Sequence, residues 1–232
     1  MTTIEEAMGN LSVWIEAKRT NIEPLDTHLV YRVAFNTDSH REAVFHRFIE
    51  LIESTYILFK EKKLIGAIVN ARSAQETLSV LWFINSKLNI LSNTKDLSLY
   101  LETMNRLSFG FAGDEKFPEK INILTCINAV DKKINIGFRK NYDILSEYAH
   151  PNYSGTLGTY TKPNEEAKTT EVGSYPRSTD HLENIIKSTL IVCISLLSPL
   201  HDEYSELLNK LTDLCIELHD QGKLNEIFYK KT

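Results

Sequence analysis

The stretch LIGAIVNARSAQETLSVLWFINSKLN, residues 64–89, decides the fold. It is rich in Leu, Ile, Val and Ala and contains no proline. Ile65, Ile68, Val69, Val80 and Phe83 recur at the spacing of one helix face. That face is apolar except for Arg72, Ser73 and Glu76. Arg72 and Glu76 stand four apart and can pair along the helix. Burying charge without partners is costly, so this face must meet polar groups. Gly66 and Ala67 leave room for a neighbouring helix to come close.

The partners are found in NYDILSEYAHPN, residues 141–152. Tyr142, Ser146 and His150 are spaced four and four apart and share one helix face. Pro151 disfavours helical geometry at the residue before it, so the helix ends on His150. A histidine at a helix C-terminus is favoured in its protonated form. The expected contacts are the hydroxyls of Tyr142 and Ser146 with Arg72, and the His150 imidazole with Glu76. The chain is then organised around the meeting of helices 64–89 and 134–149.

Working outward, helical periodicity covers 3–19, with Ile4, Met8, Leu11, Trp14 and Ile15 on its apolar side. It also covers 40–60, with Val44, Phe45, Phe48, Leu51, Ile52, Thr55 and Phe59 as a stripe that Tyr56 and Ile57 widen. Residues 21–38 read as a connection with a short ordered piece at 29–35. Asp38 or Ser39 is the expected N-cap of the helix that follows. Further helices are expected at 95–111, capped by Asn93 or Thr94, and at 121–130. Pro199 ends or kinks a helix over 180–197. Gly222 stops one over 205–220. The tail beyond it is expected to dock through Ile227, Phe228 and Tyr229. After Pro151 the composition shifts to Gly, Thr, Ser and Tyr. Strand-like runs at 156–161 and 168–172 flank a turn at 162–166, which reads as a β-hairpin or a mobile loop. The fold class is mainly α: an antiparallel helical bundle forming one domain over 1–232, with an excursion at 153–175.

Composition narrows the function. A net charge of −5 and a pI near 5.8 argue against a broad non-specific nucleic-acid binder. Cys126, Cys193 and Cys215 are odd in number, far apart and set in apolar helical contexts. They read as buried free thiols in a reducing compartment, with no zinc-like spacing. MTTIEEAMGN has no signal-peptide pattern, and the apolar run 190–200 is shorter than a bilayer span, so a cytoplasmic protein without a membrane partner is expected. No phosphate-binding, dinucleotide, zinc-protease or nucleophile-elbow motif occurs, so neither a cofactor nor a metal is expected.

The pair ARSAQE and YDILSEYAHPN resembles a group of bacterial helical proteins with an R-S-x-x-E and Y-x-x-L-S-x-x-x-H pattern, grouped loosely with HEPN-like domains. The match covers residues 64–89 and 134–152. The resemblance implies an all-helical fold, a dimer, and a place in phage defence or toxin–antitoxin systems. HEPN ribonucleases use an arginine and a histidine four to six residues apart on one helix. This chain departs from that pattern. The arginine nearest upstream of His150 is Arg139, ~16 Å away along a helix axis, and only Arg72 on the other helix could substitute.

Three functions suit these residues. The first is a helical interaction or regulatory module, dimeric or with a protein partner, in which the polar pair of helix faces is a structural lock. The second is a HEPN-like ribonuclease or nucleotide-processing toxin. His150 would move protons, Arg72 and Arg139 would stabilise phosphate charge, and Glu76, Tyr142 and Ser146 would support them. RNA would then be the partner, and Tyr153, Tyr160 and Tyr175 with Lys162, Lys168 and Arg177 form a candidate surface for it. The third is a small-ligand or metal binder using Glu76, His150 and Glu147.

Overall fold

Two long runs without glycine or proline, 25–65 and 67–109, set the architecture. The computed structural model describes residues 3–26 and 28–229. In chain order the helices are α1 Ile4–Glu16, α2 Leu29–Lys60, α3 Leu64–Thr94, α4 Leu97–Phe109, α5 Ile123–Ile134, α6 Phe138–Ala149 and the single turn α7 Leu157–Tyr160. Strands β1 Thr161–Asn164 and β2 Thr169–Val172 follow, then α8 Asp180–Ser195, α9 Leu197–Asp220 and α10 Leu224–Tyr229. The protein is mainly α, with one two-stranded antiparallel hairpin among the described residues. The Tyr229 side chain, one of the expected docking groups, lies outside what is described.

The contacts divide into two units, each drawn from three separated stretches. The first holds the chain up to Glu16, Arg47–Leu78 and Asp131–Ser195. Its core is built from Phe48, Ile49, Ile52, Leu64, Ile68 and Leu78, with Phe138, Leu145 and Ile186. Here α1 packs on α8 and α6 also meets α8, where Asn141 Nδ2 donates to Thr189 Oγ1 at 2.8 Å. The α2–α3 turn places Lys62 in the left-handed region at φ 56°, and Lys63 N–H closes back on Leu58 O at 2.8 Å. The side chains of α3 expected to face inward only partly do so. Ile68 is buried but Val69 is exposed, while Leu64, Ala67, Ala71 and Ala74 carry the contact. Ile57 of α2 is likewise exposed.

The second unit holds Ala17–His46, Ser79–Val130 and the chain from Leu196 on. Its core joins Val30, Val33, Ile84, Leu88, Leu97, Tyr100, Tyr204, Leu207 and Leu211. Ile227 and Phe228 of α10 pack against it, half-buried, as the tail reading expected. Cys126, Cys193 and Cys215 are buried free thiols, as expected, and burial raises the first two to about 12 and the third to about 11.

Several boundaries are corrected. α2 begins at Leu29, so Asp38 and Ser39 lie within it and cap nothing. Asp96 caps α4, its side chain accepting from Leu99 N–H at 3.0 Å. As expected, the helix before Pro199 is broken: α8 ends at Ser195, four residues ahead of the proline, whose ring excludes the carbonyl at that position. Pro199 itself lies in the first turn of α9, where a missing N–H costs nothing. Residues 157–160 form a helical turn instead of strand, because Asn152 captures Gly155 N–H at 3.0 Å and Tyr153 O accepts from Gly158 N–H at 2.7 Å. The hairpin then pairs Thr161 with Val172 and Asn164 with Thr169. By composition, Asp180–Asp220 contains a stretch apolar enough to cross a membrane, yet its apolar residues include Ile186, Leu190 and Cys193, buried in the first unit, and Leu207 and Leu211, buried in the second.

Candidate functional site

Arg72 lies midway along the part of α3 that belongs to the first unit, and Glu76 sits one turn further on. Both face α6. Phe138, Tyr142 and Leu145 bury the α6 stripe, so the hydroxyls of Tyr142 and Ser146 reach the α3 charges from a fixed helix. Arg72 Nε donates to Ser146 Oγ at 2.9 Å, and Arg72 Nη2 donates to the Tyr142 hydroxyl at 2.8 Å. That hydroxyl donates in turn to Glu76 Oε1 at 2.8 Å, and Arg72 Nη2 closes the ring on the same oxygen at 3.0 Å. One turn nearer the start of α6, Gln75 Nε2 donates to the Phe138 carbonyl at 2.8 Å. The Arg72 and Glu76 side chains are 29% and 24% exposed, so the ring is partly open to solvent. Burial raises the Tyr142 pKa, and the hydrogen bond to Glu76 raises it further. At neutral pH Tyr142 is a phenol that donates, which suits a positioning group and not a base.

The expected Glu76–His150 contact is not formed. His150 is the C-cap of α6 at φ −84°, ψ 147°, with its backbone N–H on Ser146 O at 3.2 Å and its side chain exposed. Among the described residues its ring makes no hydrogen bond or ion pair. Pro151 holds the His150 backbone in the extended region and ends the helix there, leaving the imidazole exposed. Arg139 lies outside the ring as well, with Nε on Asp143 Oδ1 at 2.8 Å. Glu147 is held by Asn152 at 2.9 Å. The structure therefore brings together Arg72, Glu76, Tyr142 and Ser146, and leaves out His150, Arg139 and Glu147. Among the described residues, no three His, Cys, Asp or Glu side chains are grouped as a metal ion needs.

The aromatic and basic residues proposed for RNA are partly used within the fold. Tyr160 stacks on Tyr175 at 5.6 Å, and Tyr175 OH accepts from Ile65 N–H at 3.2 Å. Arg177 Nε donates to Thr161 O at 2.8 Å. Tyr153 stays exposed.

A second polar cluster, in the other unit, was missed. Arg19 donates from both Nη atoms to Asp38 at 2.7 Å, and from Nε and Nη2 to Glu42 Oε2 at 3.2 and 3.0 Å. Tyr204 OH adds a bond to Asp38 at 3.0 Å, and the buried Arg41 guanidinium stacks 3.9 Å above the Tyr204 ring. Although burial opposes it, hydrogen bonds from Arg19 and Tyr204 hold the Asp38 carboxyl below the usual carboxylate range. The signal was present: Asp38 and Glu42 are four apart within an unbroken helical run.

Comparison of the chain with protein-family models, with curated proteins and with solved structures finds no match.

Proposed function

We propose that the chain is a non-catalytic helical interaction or regulatory module, in which the Arg72–Glu76–Tyr142–Ser146 ring locks α3 to α6. One observation carries this reading: the ring closes on itself, while the histidine that would move a proton stands outside it. A nuclease site needs an arginine free to meet phosphate, and two of the three Arg72 nitrogens are already engaged. The face offered to a partner lies beside the hairpin, where Tyr153, Leu157 and Val172 are exposed. A second copy or another protein suits this surface better than RNA, because Tyr160, Tyr175 and Arg177 are occupied.

The test joins stability to activity. Tyr142→Phe removes a buried hydroxyl with two partners and is expected to cost about 1–2 kcal/mol in denaturant unfolding. His150→Ala is expected to stay within about 0.5 kcal/mol of the parent. Purified protein incubated with single-stranded and structured RNA is expected to leave it intact. Cleavage lost in a folded His150→Ala variant would favour instead the HEPN-like ribonuclease reading, for which the exposed His150 and the partly exposed Arg72 are the observations. Sedimentation of Val172→Asp against the parent reads the partner face: a parent dimer that this change dissociates supports it.

A further inference from the structure

The second unit contains a cleft of about 930 Å³ that the reading above does not use. Its walls are one face of α2, from Leu29 to His40, and one face of α4, from Ser98 to Phe109, with α10 across a third side. Cavities of ~300–1,000 Å³ with apolar walls and a few convergent polar groups are the usual form of small-molecule sites.

The lining is ordered along its length. Val33, Leu101, Met104, Ile227 and Phe228 supply an apolar stretch. Asn36, His40, Asn105 and Ser108 gather where His40 Nδ1 lies 3.1 Å from Ser108 Oγ. This polar end carries no formal charge, since burial lowers the His40 pKa and keeps the imidazole neutral. The other ring nitrogen, Nε2, is buried without a hydrogen-bond partner among the described residues. A buried nitrogen left in that state costs free energy that a polar group reaching it would recover. The charged lining balances: Arg32 and Lys223 against Glu102 and Glu226. With no net charge in the walls, desolvating an ionic ligand gains no compensating field, and a neutral one is favoured.

We propose that this cleft binds a small uncharged amphiphile. Its apolar body lies along Val33, Leu101 and Phe228, and its hydroxyl, carbonyl or amide head meets Asn36, Asn105 and Ser108. The site is independent of the α3–α6 ring and stands or falls apart from it.

The test uses the full chain and Nile red, a neutral solvatochromic probe. The expected result is a single saturable blue-shifted site from which 1-decanol displaces the dye. Decanoate and decyltrimethylammonium should need concentrations at least about tenfold higher. Leu101→Trp fills the cleft and should weaken dye binding at least about tenfold with the melting temperature retained. If that variant does not fold, side-chain amide resonances of the parent take its place, and 1-decanol should shift those of Asn36 and Asn105. The proposal is overturned by unsaturable dye binding, by equal competition from the charged chains, by undiminished binding to folded Leu101→Trp, or by resonance shifts that spare both asparagines. A parent dimer that 1-decanol dissociates would also overturn it, because the cleft would then be a protein interface.

Discussion

At Gly155 the chain has no room for a methyl group. A Cβ there would lie 2.1 Å from His150 O and 2.7 Å from Tyr148 O, both backbone atoms that cannot swing aside. The turn that follows α6 folds back over the helix end, pinned by Asn152. Gly155→Ala is therefore expected to cost about 2 kcal/mol or more, measured by urea unfolding. His40 gives a second prediction at this scale. Its folded pKa lies below its ordinary value, so as pH falls through about 6.5 the unfolded chain takes up a proton that the folded one refuses. Stability then falls with falling pH across that range, and His201, also lowered by burial, adds to the slope. His40→Leu should flatten the dependence of the melting temperature between pH 7.5 and 5.5. A slope unchanged in that variant would remove His40 from the account.

Elements were legible where periodicity was unbroken and illegible where polar residues were buried. Helix α1 and the latter half of α2 follow their apolar spacing. The start of α2 did not, because Asn36, Thr37, Asp38 and Ser39 look like a cap in isolation. Two of them are instead held in mid-helix by remote partners. Thr37 meets the Tyr100 hydroxyl at 2.9 Å, and Asp38 meets Arg19 and Tyr204. Local composition cannot show such partners, since they lie 19 to 166 residues away. The α3–α6 ring was legible for the opposite reason. Charges at i and i+4 in an apolar face demand partners, and the Tyr142–Ser146 spacing supplied them. His150 was misplaced because Pro151 fixes its backbone but not where its ring points. Gly222 was read correctly: at φ 73° it ends α9, and Lys223 N–H returns to Leu218 O at 2.9 Å. Gly222→Ala should cost about 1 kcal/mol in thermal unfolding, the penalty of a left-handed alanine.

At the scale of the molecule, each unit is assembled from three stretches, and α2 and α3 each contribute to both. No single cut in sequence separates one set of core residues from the other. A fragment ending at Val130 lacks α6 and α8, which the first unit needs, and α9, which supplies Tyr204, Leu207 and Leu211 to the second. Expressed alone, residues 1–130 should show weak helical circular dichroism and no cooperative melt. A cooperative transition in that fragment would refute this interdependence.

The buried tyrosines also give the fold an optical readout. Tyr100 and Tyr204 are shielded from water, and the carboxylate beside Tyr204 opposes a second negative charge, so both phenols ionise well above the usual range. In an alkaline titration followed by ultraviolet absorbance, Tyr100 and Tyr204 should therefore ionise in a late step that coincides with loss of helix. Substituting Tyr204 by phenylalanine should subtract one chromophore from the late step alone. The pH at which phenolate first appears in that step would then mark where the core admits solvent.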